Sequence, residues 1–114
     1  LATNYLILGQ SQPAASAVDL CSSPAATQTI VSTIAVANTT ASSSTATIYV
    51  RKATGSTPAA VSASNALVYN APIAANTTQT FTLGITLGAY DTITVGSGTA
   101  SALTFHAFGS QVTA

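Results

Sequence analysis

Along most of this chain apolar and polar side chains alternate with a period of two, as half-buried β-strands require. The alternation is clearest between Ile73 and Val95, IAANTTQTFTLGITLGAYDTITV. Phe81 and Leu83 fall on one face, Thr80 and Thr82 on the other. Ile93 and Val95 alternate with Thr92 and Thr94 in the same way. Between these strands, Gly84 to Asp91 reads as a glycine-punctuated connection that tucks Ile85 and Leu87 inward.

The rest of the chain follows the same rule. Asn4 to Gln10 predicts a first strand with both faces apolar, either covered on both sides or lying against a neighbouring subunit. Pro13 breaks it, since proline lacks the ladder N–H. Ala17 to Cys21 predicts a short strand with Val18 and Leu20 inward, and Ser22-Ser23-Pro24 a turn. Thr27 to Asn38 predicts the longest strand, with Ile30, Ile34 and Val36 sharing one face and Ser32 between them. Thr45 to Lys52 follows, with Ala46, Ile48 and Val50 inward. These two read as a hairpin with a loop of about six residues, slightly longer than usual.

Ala53 to Asn65 is small and irregular in pattern and reads as a variable surface loop. Ala66 to Asn70 predicts another short strand. After the turn at Gly96-Ser97-Gly98-Thr99, Ala102 to Phe108 predicts the last, with Leu103, Phe105 and Ala107 inward and Thr104, His106 and Phe108 outward. Gly109 to Ala114 reads as a tail. The expectation is one all-β domain over residues 1–114, an antiparallel β-sandwich or jelly roll of about eight strands. Its core is expected to hold Ile34, Val36, Ile48, Val50, Phe81, Leu83, Ile93, Val95, Leu103 and Phe105.

Composition narrows the function. Only four formally charged side chains occur, Asp19, Arg51, Lys52 and Asp91, and the net charge is zero. A nucleic-acid binder needs clustered Lys and Arg to neutralise phosphates, so that class is disfavoured. Near-neutrality also lacks the self-repulsion that keeps free proteins apart, which suits a chain packed against other protein. No run reaches the ~18 apolar residues of a membrane-spanning helix. Leu1-Ala2-Thr3-Asn4 has neither the basic region nor the cleavage site of a signal peptide. Without an initiator Met, it is expected to follow residues removed or outside this sequence.

Each residue able to carry chemistry has a plainer reading. Cys21 is the single cysteine, so it forms no intrachain disulfide and reads as a small buried hydrophobe. His106 is the single histidine; a metal site needs three or four ligands, and one His, one Cys and two Asp make a poor donor set. Asp19 and Asp91 are available as an acid–base pair, but Asp91 at a strand start suits a carboxylate that accepts backbone N–H groups. Arg51-Lys52 reads as a strand end in solvent or a bridge to a partner's carboxylates. Asn38-Thr39-Thr40 and Asn76-Thr77-Thr78 match the glycosylation sequon, yet both asparagines suit turns. Gly96-Ser97-Gly98 is a turn rather than a phosphate cradle, since no helix follows, and no nucleophile elbow appears. No catalytic, cofactor-binding or metal-binding residue is assigned, and no cofactor is expected.

The order of motifs resembles a diffuse group of small phage virion proteins, commonly from phages of aquatic and cyanobacterial hosts. The matching pieces are LGQ (Leu8 to Gln10), DLCSSPAATQTIVSTIAVANTT (Asp19 to Thr40) and IYVRKA (Ile48 to Ala53). Ile73 to Val95 and LTFHAFGS (Leu103 to Ser110) complete the series. The resemblance implies a structural protein of the particle, either a capsid decoration (cement) protein or a small tail-associated component, and carries over no catalytic residue. A decoration protein would bind the major capsid protein on the capsid exterior as a homo-oligomer, with a trimer favoured. A tail or fibre adhesin would instead bind a host glycan or receptor. Clustered aromatics would be expected there, and Tyr5, Tyr49, Tyr69 and Tyr90 are scattered in sequence. An enzyme is disfavoured by the scarcity of titratable groups.

Overall fold

Two antiparallel sheets face each other across a single apolar layer in the computed structural model, which describes residues 2–113. The strands are β1 (Ala2–Ser11), β2 (Val18–Ser22), β3 (Thr27–Asn38), β4 (Ser44–Arg51), β5 (Ala53–Thr54) and β6 (Thr57–Pro58). A 3-10 turn (Ala63–Asn65) follows, then β7 (Ala66–Ile73), β8 (Thr78–Phe81), β9 (Ile85–Leu87), β10 (Thr92–Ser97) and β11 (Leu103–Thr113). One sheet runs β1-β11-β3-β8, with β9 taking the place beside β3 beyond β8. The other runs β2-β10-β4-β7. The first strand thus pairs with the last, and the second with the last but one. Counting β8 and β9 as one split strand, and leaving out the small β5–β6 hairpin, this is the eight-strand jelly-roll order.

The core is the one expected, with one exception. Ile34, Val36, Ile48, Ile93, Val95, Leu103 and Phe105 are fully buried, and Ile85, Leu87 and Ile73 join them. Val50 and Phe81 are half-buried and pack against this cluster. Leu83 does not belong to it: it is 39% exposed. Strand β8 ends at Phe81, and the chain leaves the sheet through Gly84 at φ +62° before resuming as β9 with Ile85 and Leu87 inward. That left-handed backbone is open to glycine without steric cost.

Four further expectations are corrected. Ile30 does not share a face with Ile34 and Val36. The register between β3 and β11 shifts where Phe108 pairs with Thr33 and Gly109 with Val31, leaving Ser32 as the extra residue of a bulge. An extra residue inverts the alternation on one side of it. Val31 is therefore buried and Ile30 is 42% exposed. Gly109 belongs to the same feature, because a Cβ there would run into the Ile30 carbonyl oxygen. A second bulge at Leu8 separates the pairs Ile7–Phe108 and Gly9–Ala107.

Residues 109–113 are not a tail. They continue β11, paired with Ala2–Leu6 on one side and Thr27–Val31 on the other. Strands β3 and β4 are not a hairpin either, since they lie in different sheets. Both sides of β3 are occupied by β11 and β8/β9, so Thr39 to Ser43 crosses the ~10 Å between sheets instead. The segment from Ala53 to Asn65, expected to be irregular, is folded into the β5–β6 hairpin and a 3-10 turn capped by Ser62.

Candidate functional site

The four formal charges are segregated by sheet. Asp19 lies on β2, Arg51 on β4, and Lys52 and Asp91 immediately flank β4 and β10, all at the four-stranded sheet. The strands of the five-stranded sheet contain no Asp, Glu, Lys or Arg. Their outward rows carry Tyr5 and Ile30 on either side of Ser110, Ile7 beside Phe108, and Gln10 beside His106. Tyr5 is 85% and Ile7 56% exposed, and Phe108 is also open to solvent. The outer face of this sheet is therefore free of Asp, Glu, Lys and Arg and partly aromatic.

Three of the four charged side chains, Asp19, Arg51 and Asp91, are engaged inside the domain. Arg51 Nη1 donates to Asp19 Oδ1 at 3.0 Å and to Thr94 Oγ1 at 3.0 Å, while Thr94 Oγ1 donates to Asp19 Oδ1 at 2.8 Å. Arg51 Nε donates to the Ala59 carbonyl at 2.7 Å and so holds the folded 53–65 segment over the sheet. Arg51 is thus neither a loose strand end nor an open site for a partner's carboxylate. Asp91 accepts from Ala53 N–H at 2.8 Å and from Gly88 N–H at 2.9 Å, one bond to each oxygen. This is the backbone-satisfying role its position implies, and it leaves Asp19 and Asp91 in separate networks.

His106 sits on the outer face of β11. Gln10 Nε2 donates to its Nδ1 at 3.1 Å, and its ring stacks on Phe108 with centroids 6.3 Å apart and planes 7° from parallel. It is thus part of the uncharged face. Cys21 is half-buried against the core, and burial pushes its thiol up to about 11. Among the described residues no three His, Cys, Asp or Glu side chains gather as a metal-ion site, and no buried side-chain nitrogen or oxygen lacks a hydrogen-bond partner.

The two sequon asparagines differ. Asn38 is buried, and its amide donates to the Ser42 carbonyl at 2.9 Å and the Ile73 carbonyl at 3.1 Å. Its Oδ1 accepts from Thr40 N–H and Oγ1 at 2.9 and 2.8 Å. Asn38 therefore has no free amide to modify. Asn76 occupies an exposed turn at φ +56°. The tyrosines divide between the two sheets and a turn. Tyr5 is on the five-stranded sheet, Tyr49 and Tyr69 on β4 and β7 of the other, and Tyr90 in the turn before β10.

Neither a protein-family model nor a curated protein sequence matches the chain. Among solved structures, it is similar to a chain of infectious bursal disease virus, Gx strain, with TM-score 0.49 and 14% identity over 96% of this chain and 30% of that one. A chain of the Gt strain gives TM-score 0.45 and 15% identity over the same shares. This chain therefore spans less than a third of either viral chain, and likenesses so partial and so low in identity assign it no role.

Proposed function

We propose that this protein is a non-enzymatic structural component of a phage particle, a cement that binds the outer surface of the major capsid protein and reinforces the head. The observation that carries the reading is the charge-free five-stranded sheet with Tyr5, Ile7, Ile30 and Phe108 on its outer face. Such a face gains by burial against protein and has no Asp, Glu, Lys or Arg to desolvate. The virion context comes from the order of sequence motifs. The jelly roll accommodates it, although the same architecture also serves lectins and cupins. The carboxylates are committed to Arg51 and to backbone amides, which leaves no poised acid–base pair to support an enzyme reading.

Particles that lack the protein are the test. Heated beside intact ones, they are expected to assemble normally but to rupture at lower temperature, with adsorption to host cells unchanged. Equal rupture temperatures together with lost adsorption would move the assignment to a tail or receptor-binding module.

A further inference from the structure

The sheets have four outer edges, and three carry devices that block pairing with another chain. Edge strand β2 is five residues long, bears Asp19 and is bulged against β10 between Ile93 and Thr94. Edge strand β7 contains Pro72 and two register shifts against β4. The β8/β9 edge is cut into four- and three-residue pieces on either side of Gly84. Short strands, charges, prolines and bulges are the means by which proteins protect sheet edges. The fourth edge, β1, is ten residues long. Its bulge lies at Leu8, so Ala2–Ile7 is a regular run with no charge and no proline. All six residues are exposed, with Tyr5 and Ile7 on one face and Leu6, 42% exposed, on the other.

We propose that Ala2–Ile7 is a strand-addition edge whose occupant is β1 of a second copy, running antiparallel about a twofold axis. Along an edge strand, alternate residues point N–H and C=O outward, and this row is complementary to itself when reversed. A twofold axis normal to the sheet places equivalent residues opposite each other; centred on Tyr5, it sets Tyr5 against its mate and Ile7 against Thr3. The charge-free sheet makes no repulsive pair in this arrangement. Two copies follow, rather than the trimer favoured from the sequence. A closed ring needs a different, equally long edge on the same sheet, and that edge is broken at Gly84. The inference does not depend on the cement assignment, since it concerns the free protein.

Sedimentation of the purified protein from micromolar to millimolar concentration tests it. A monomer–dimer equilibrium is expected, abolished in the double variant Tyr5→Lys/Ile7→Lys and retained in Ile30→Lys, which alters the same face two strands from the edge. Hydrogen exchange of the unaltered protein gives a second readout independent of folding in the variants. Alternate amides of residues 2–7 should slow as concentration rises. Four results would overturn the proposal: a monomer at every concentration, a dimer that survives the double variant, a dimer lost in Ile30→Lys, or exchange in residues 2–7 that ignores concentration. A monomer that nevertheless bound phage heads would reject the second copy and leave the cement reading standing.

Discussion

Asn38 Nδ2 donates to the Ile73 carbonyl at 3.1 Å, tying the end of β3 in one sheet to the end of β7 in the other. The same side chain closes the turn that carries the chain between sheets, through Ser42 and Thr40. Asn38→Ala would leave buried backbone groups unpaired, at a cost of about 1–3 kcal/mol for each that finds no water. A lowered denaturation midpoint is therefore expected, measurable by urea unfolding. An unchanged midpoint would mean that the sheets are held by apolar contact alone.

Phe105 and Leu83 offer a direct check on the register. Both alternate with threonine in sequence, but Phe105 is fully buried and Leu83 is 39% exposed. Phe105→Ala should cost about 3–5 kcal/mol, as for other buried aromatics. Leu83→Ala should cost no more than about 0.5 kcal/mol, in the range of surface changes. Comparable losses at both positions would place Leu83 in the core and extend β8 past Phe81.

Much of this architecture was legible because alternation is a local signal. It placed Phe105 inward and His106 outward on β11, and it tucked Ile85 and Leu87 under the sheet. It failed where geometry is set by a partner strand. The bulge at Ser32 depends on how β11 pairs, so alternation alone puts Ile30 on the wrong face. Gly109 to Thr113 has a weak pattern and is a strand because β1 and β3 flank it. Nothing in the period says which sheet a strand joins, so β3 and β4 read as a hairpin. The candidate face was hidden for the same reason. The scarcity of charge is plain in the composition, but the gathering of all four charges at one sheet emerges only once strands are assigned to sheets.

Cys21 gives a pH dependence of known sign. Burial raises its thiol from 9.0 to about 11, so the folded state holds the proton more tightly than the unfolded one. Stability from this group is complete below pH 9 and falls as pH rises through about 11. The loss is on the order of 2 kcal/mol. The difference between the unaltered protein and Cys21→Ala isolates the effect. The gap between their unfolding free energies should narrow over that window. Native Cys21 should also react with a thiol reagent at pH 8 far more slowly than the unfolded chain. Equal rates would place the thiol in water.

Salt separates the kinds of contact by which a cement of this composition could hold a shell. Of the four charges, Asp19 and Arg51 bond to each other, and Asp91 holds two backbone amides. The pair itself contributes no more than about 1 kcal/mol, because the Asp19 side chain is 60% exposed. Raising salt from about 0.1 M to about 1 M shortens electrostatic reach from roughly 10 Å to roughly 3 Å. A surface held by ion pairs would then release. One held through the uncharged face of β1, β11 and β3 should stay, and sulfate should tighten it by strengthening apolar burial. The measurement is the number of copies retained on heads washed at increasing sodium chloride. A constant number is expected. A steep loss would transfer the contact to the four-stranded sheet, where Asp19, Arg51 and Lys52 lie, and would leave the five-stranded face to self-association.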